Sequence, residues 1–331
     1  MARIKFDGQD LEVQTDSSVL STLLKKGYEI PNSCQAGVCQ SCLMQATEGK
    51  VPELAQKGLK DSLKAQNYFL ACSCHPQEDL SVQLPSAEST QIPAVVTQLE
   101  PLGKDIMLLK LKPEKHFEYR AGQHVTLWRD QHIGRSYSLA SIPELDDELI
   151  FHIKHVANGQ FSSWVFKQLA VGDKINIQGP AGDCFYTPGD DKQDILLIGT
   201  GTGLAPLYGI VRDALRNGIK GTIHLFHGAL DVSGLYLRKE LEALAANHEN
   251  LFYHPGVLNN TGPLPAGVHQ GPIDEIALNI VPKPAGRKVF LCGAPELVQQ
   301  LRKTIFLAGS NMNDIYADAF LPSSGGDDNG N

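Results

Sequence analysis

The sequence predicts a multidomain α+β and α/β chain in which a small mixed sheet, an antiparallel barrel and a parallel doubly wound sheet follow one another. Three observations lead there. Period-two alternation and one short helix fill the first part, around three closely spaced cysteines. Short alternating runs between turn residues fill the middle, as antiparallel strands do. A continuous apolar run, a glycine turn and a helical pattern then begin a βα alternation. With 331 residues, 42% of them hydrophobic, the chain has room for two or three separately cored domains. A formal net charge of −8 without a basic patch argues against nucleic acid as a partner. The start, Met1-Ala2-Arg3-Ile4-Lys5-Phe6, lacks the apolar core of a signal peptide, and no run of about 18 apolar residues exists. No membrane partner and a cytoplasmic location are therefore expected.

Residues 1–87 are justified first. Ile4, Phe6, Leu11 and Val13 alternate around Asp7-Gly8-Gln9-Asp10 and predict a hairpin. Asp16-Ser17-Ser18 caps a helix carrying Val19, Leu20, Leu23 and Leu24, which Gly27 stops. Then Cys34, Cys39 and Cys42 stand at Cys-x4-Cys-x2-Cys spacing, and Cys72 follows after 29 intervening residues. Strands are predicted through Leu43–Ala46 and Leu80–Leu84. Small residues in such a loop let backbone N–H groups turn toward sulfur and help it carry negative charge. A zinc site and disulfides compete with an iron–sulfur cluster; the spacing weighs against the first, and the missing export signal against the second. The pattern resembles the plant-type [2Fe–2S] ferredoxins. That resemblance implies a β-grasp fold with Cys34, Cys39, Cys42 and Cys72 as the metal ligands and Cys74 as a bystander thiol. Gln40 stands where those relatives often have glycine. Pro85 to Thr90 reads as a linker.

In residues 91–188, strands are predicted at Ile106–Leu111, Gln123–Trp128, Leu149–Val156 and Lys174–Ile177. Three short motifs follow in order: Arg135-Ser136-Tyr137-Ser138; Gly159-Gln160-Phe161-Ser162 opening a helix; and the turn Gly179-Pro180-Ala181-Gly182-Asp183-Cys184-Phe185. The first alone also fits a plain surface strand, while a helix start is a natural anion site. Together they resemble the flavin domain of the ferredoxin–NADP reductase superfamily. The resemblance implies FAD, with Arg135 on a phosphate, Tyr137 along the ring and Ser138 near the flavin N5. It places the pyrophosphate at Gly159, Gln160, Phe161 and Ser162. His152 and His155, three apart on a predicted strand, face opposite sides and make no metal pair. Lys154 reads as a solvated or phosphate-facing charge and Cys184 as a small buried apolar residue.

In residues 189–322, Asp194–Ile198 predicts a buried parallel strand leading into Gly199-Thr200-Gly201-Thr202-Gly203 and a helix through Leu215. A strand, a glycine turn and a helix start make a phosphate cradle. Further strands are predicted at Thr222–Phe226 and Lys288–Leu291, with helices at Leu235–Ala245 and Pro295–Leu307. Cys292-Gly293-Ala294-Pro295 resembles the superfamily's nicotinamide-side signature, which implies Cys292 and Thr202 beside the ring with Gly293 giving it room; a buried inert cysteine is the competing reading. Phe320 stands where such reductases return an aromatic to the flavin, with packing of the last strand as its competitor. Leu230 where relatives often carry arginine, with Asp231 adjacent, tilts the cofactor toward NADH; Arg238 or Lys239 keeps NADPH as the alternative. Residues 323–331 are expected to be disordered.

Across nearly its whole length the chain resembles the reductase component of bacterial multicomponent oxygenases. The resemblance implies an NAD(P)H-dependent oxidoreductase that passes electrons through FAD and a [2Fe–2S] cluster to a terminal oxygenase, hydroxylase or other electron-accepting protein. Ser138, Cys292 and Phe320 are its expected catalytic residues. A reductase for a sugar-deoxygenating dehydratase and a redox-sensing module are the alternatives.

Overall fold

A computed structural model describes residues 2–32, 34–85 and 91–320. Ser33, most of the expected linker (86–90) and the expected disordered tail (323–331) lie outside those residues.

The first sheet holds β1 (Arg3–Phe6), β2 (Gln9–Glu12), β3 (Leu43–Glu48), β4 (Tyr68–Leu70) and β5 (Leu80–Gln83), in the order β2-β1-β5-β3-β4. Only β1 and β5 run parallel, the pairing expected of a β-grasp sheet. Helix α1 (Val19–Lys25) lies across it because Val19, Leu20 and Leu23 are buried with Ile4, Met44 and Phe69. Its start is the expected one: Ser18 Oγ accepts from the Ser21 amide at 3.1 Å. A single turn, α2 (Asp61–Lys64), precedes β4.

The second sheet is antiparallel and six-stranded, in the order β10-β7-β6-β11-β8-β9. Its strands are β6 (Ile92–Pro101), β7 (Ile106–Pro113), β8 (His124–Trp128), β9 (Gly134–Ser138), β10 (Leu149–Lys154) and β11 (Lys174–Ala181). A bridge from Leu139 to Phe151 joins the two ends and makes the sheet barrel-like. Helix α3 (Gln160–Lys167) closes one end through Phe161 and Val165. Strand β6 has no counterpart among the expected strands: Pro93 and Pro101 at its ends read as breakers, yet both sit where its ten-residue ladder tolerates them. Strand β10 stops at Lys154, so His155 lies beyond it, not on it as expected.

The third sheet is parallel throughout, in the order β15-β14-β13-β12-β16-β17. It comprises β12 (Ile195–Thr200), β13 (Ile223–Ala229), β14 (Leu251–Val257), β15 (His269–Gln270), β16 (Lys288–Gly293) and β17 (Ile315–Ala319). Helices α4 (Leu204–Arg216) and α5 (Arg238–Ala246) bury Leu207, Ile210 and Leu241 on one face. Helices α6 (Ile273–Ile280) and α7 (Pro295–Leu307) bury Ile276 and Leu301 on the other. The chain moves outward from β12 through β13 to β15, then returns to β16. This switch point opens a crevice at the carboxyl ends of β12 and β16, where open α/β sheets bind ligands.

Candidate electron-transfer site

One cavity of about 1360 Å³ runs along the junction of all three sheets. It exceeds the roughly 300–1,000 Å³ of a site for one small molecule and has room for two extended ligands.

The cysteine loop forms one wall. It turns inward because Gln35, Gly37 and Gln40 adopt positive φ of 49°, 75° and 59°. At Gly37 this has a second cause, since a Cβ there would lie 2.5 Å from Ser73 Oγ, beside Cys72. Gln40 holds the same handedness without being glycine, and its side chain is tied to Gly58 O at 3.1 Å. The amides of Ala36 and Cys39 each point at Cys34 Sγ from 3.4 Å, and Ser41 Oγ sits 3.0 Å from Cys39 Sγ. The thiols meet in two pairs, Cys34 with Cys39 and Cys42 with Cys72. A hydrogen bond from the Cys39 thiol, reinforced by backbone amides, brings Cys34 down to about 5; one from Cys42 brings Cys72 down to about 7. Among the described residues no three donor side chains converge on one mononuclear metal point. Two pairs are instead what a cluster of two irons needs, so the donor set fits [2Fe–2S]. Cys74 is fully buried in the sheet's core and is pushed up to about 12 by burial alone.

The flavin strand forms the second wall. Arg135 and Tyr137 alternate with Ser136 and Ser138 along β9, so the two pairs face opposite sides. Tyr137 packs on Phe161 with ring centroids 5.4 Å apart, and burial raises its phenol. Arg135 donates to Gly134 O at 2.7 Å and lines the cavity. Gly159, Gln160 and Phe161 line it too, where α3 starts without a side-chain cap and its first amides remain for an anion. Ser162 lines it with them. Its hydroxyl accepts from the Val156 amide at 3.1 Å and so braces the loop before the helix. Ser136 turns toward the cysteine loop, with Oγ 3.5 Å from Cys39 O.

The third wall is the switch point. Gly199 and Thr200 end β12, and Gly201-Thr202-Gly203 makes a tight turn into α4. A Cβ on Gly203 would run into the backbone of Cys292, so glycine alone lets this turn reach β16. Gly293 lies in the cavity wall, but the Cys292 side chain is buried, 3.6 Å from Cys184 Sγ, and burial raises its thiol. Phe320 lines the cavity and its amide donates to Gly293 O at 2.8 Å. The residue missed by sequence reasoning is Asp318, whose Oδ2 accepts from Ser138 Oγ at 2.9 Å. Parallel register sets Asp318 beside Cys292, placing a carboxylate, a hydroxyl and a thiol together at the junction. A lone aspartate in the last strand gives no local signal.

Comparison with known proteins agrees with this geometry. Three family profiles match in order: a 2Fe-2S iron-sulfur cluster binding domain over residues 4–77, an oxidoreductase FAD-binding domain over 93–186 and an oxidoreductase NAD-binding domain over 197–303. The ferredoxin–NAD(P)+ reductase component of the naphthalene 1,2-dioxygenase/salicylate 5-hydroxylase systems of Ralstonia sp is 33% identical over 95% of this chain and 96% of its own. The reductase component of the naphthalene 1,2-dioxygenase system of Pseudomonas putida is 32% identical over 92% and 94%. Among solved structures, the ferredoxin reductase in carbazole 1,9a-dioxygenase superposes with a TM-score of 0.67 at 26% identity, covering 96% of this chain and 98% of that one. Fold and site thus define an oxidoreductase that binds [2Fe–2S], FAD and NAD(H) in a single chain. The chain belongs to the family of ferredoxin–NAD(P)+ reductase components.

Proposed function

We propose that this protein is a cytoplasmic, NADH-preferring reductase that delivers single electrons to the oxygenase or hydroxylase component of a multicomponent system. The observation that carries this reading is the single cavity shared by the cysteine loop, the flavin strand and the nicotinamide turn. When bound, the nicotinamide supplies a hydride, the flavin separates the pair and the cluster carries electrons singly. Domains at 1–87, 91–188 and 189–322 suit three separate sheets. Among the described residues no helix is long and apolar enough to cross a membrane.

The residues divide the work. Cys34, Cys39, Cys42 and Cys72 ligate the cluster, which the two thiol pairs and inward amides support. Arg135 and the first amides of α3 hold the FAD phosphates, and Tyr137 shields the ring. Gly201-Thr202-Gly203 cradles the nicotinamide dinucleotide. Ser138 and Asp318 hold a proton at the Ser138 hydroxyl, Cys292 bounds the ring pocket from behind, and Phe320 closes it. Asp231 lines the cavity and keeps its charge by accepting from the Ser233 hydroxyl and amide, so a 2′-phosphate there meets an anion. Arg238 is engaged by Glu242 at 2.6 Å and by Ala266 O at 3.1 Å. kcat/KM should favour NADH over NADPH at least about tenfold, the scale of like-charge repulsion at a site.

Anaerobic titration with NADH, followed by absorption and EPR, tests the function. Bleaching of the flavin together with a reduced-cluster signal is expected. A flavin that bleaches while an intact cluster stays oxidised would sink the proposed electron route.

A further inference from the structure

The loop that carries Cys34, Cys39 and Cys42 is tied to the flavin barrel by contacts that no role above uses. Thr126 Oγ1 donates to Cys39 O at 3.0 Å. Ser136 Oγ lies 3.1 Å from Thr126 Oγ1, and His124 Nε2 lies 3.4 Å from Val38 O. A carbonyl only accepts, so the imidazole donates there. The register of β8 on β9 sets Thr126 opposite Ser136 and His124 opposite Ser138. These residues share one side of the strand pair, and Arg135 and Tyr137 occupy the other.

The hydroxyls form a one-way chain. Thr126 has one hydrogen, used on Cys39 O, and its oxygen is then free to accept from Ser136. The chain's centre is dry, with Thr126 1% exposed, so water does not readily replace the Thr126 hydroxyl. The bend after β11 leaves His124 its place: a Cβ on Gly182 would sit 2.8 Å from the ring's Nδ1. The contact is also one-sided. Cys34, Val38 and Cys39 line the cavity with Arg135 and Tyr137, while Cys42 and Cys72 do not.

We propose that Thr126, backed by Ser136 and His124, is a positioning residue that docks the Cys34–Cys39 side of the cluster loop onto the flavin strand. The loop and the strand that would hold the two redox groups then stay together without a domain search, and loosening the dock would slow only what passes between them. This rests on Cys39 as a cluster ligand, which the iron content of Cys39→Ser tests separately.

The test uses the holoenzyme carrying Thr126→Val, which keeps shape and removes the hydroxyl, and Thr126→Ser, which keeps the hydroxyl. The readouts are FAD and iron content, amide hydrogen exchange over residues 34–42, and NADH-driven reduction of ferricyanide, which draws on the flavin, against cytochrome c, which requires the cluster. Thr126→Val should keep both cofactors and ferricyanide reduction. Its exchange over 34–42 should rise, and its cytochrome c reduction fall, by about tenfold, the scale of one buried hydrogen bond; Thr126→Ser should restore both. Unchanged exchange or cytochrome c reduction, loss of iron or FAD, or failure of the serine to restore would each overturn the proposal.

Discussion

Cys34 and Cys74 flank one small sheet and carry the same side chain, yet they are different chemical groups. Two amides and a neighbouring thiol point at Cys34, and it falls to about 5. Cys74 meets only the apolar core and rises to about 12. Burial opposes ionisation in both; at Cys34 the Cys39 thiol, and after it the inward N–H groups, reverse it. Cys184 and Cys292 are buried too, with their sulfurs 3.6 Å apart. The donors aimed at Cys34 decide its ionisation, whereas burial alone decides that of Cys74.

The largest effect that can break this contrast is at Cys72 and Cys74. Cys72→Ser should abolish iron binding and the visible absorption of the cluster, whereas Cys74→Ser should keep both; the reverse result would exchange ligand and bystander. The next tests whether a directed charge does for the flavin what directed amides do for sulfur. Arg135→Ala should release FAD on gel filtration, with a loss of about 2 kcal/mol or more in binding for a charge-assisted phosphate contact. Stoichiometric FAD in the purified variant would remove Arg135 from that role.

Acid sharpens the buried half of the comparison. His152 and His227 are held to about 3 by burial, and the Nδ1 of each lies 3.0 Å from a tyrosine hydroxyl. Both stay neutral in the fold when the unfolded chain already protonates, below about pH 6.5. Stability should therefore be full above that pH and decline as pH falls toward 3, by roughly 2 kcal/mol per ring by pH 5. Urea unfolding at pH 7 and 5 reads this, and His152→Gln should flatten the slope. The smallest effect is at Gln40, whose φ of 59° suits glycine better. Gln40→Gly should stabilise the loop by no more than about 1 kcal/mol, because relief of the left-handed strain is offset by added chain entropy and the lost bond to Gly58. A melting temperature that drops would show the side-chain bond to be the stronger term.

Much of this molecule was legible locally. Val19, Leu20 and Leu23 announced α1, and Asp194–Ile198 announced the buried strand before the glycine turn. Strand β6 was hidden because its prolines read as breakers, and α6 and β14 because the loops around them are rich in proline and glycine. At the site, the cysteine spacing and the Arg-x-Tyr-Ser motif marked stretches that line the cavity. Which way Ser136 and Ser162 point was not legible, since both turn to partners outside their own motif.

What the sequence determined alone is what a short window can hold: the thiols in one loop, the helix and strand periods, the glycines that permit a cradle. Only the tertiary structure decided that Ser138 meets Asp318, 180 positions away, and that Thr126 meets Cys39, 87 positions away. Such pairs arise from strand register and from one sheet packing on another. No local pattern encodes them, because each half is an ordinary polar residue until the fold brings its partner within hydrogen-bond reach.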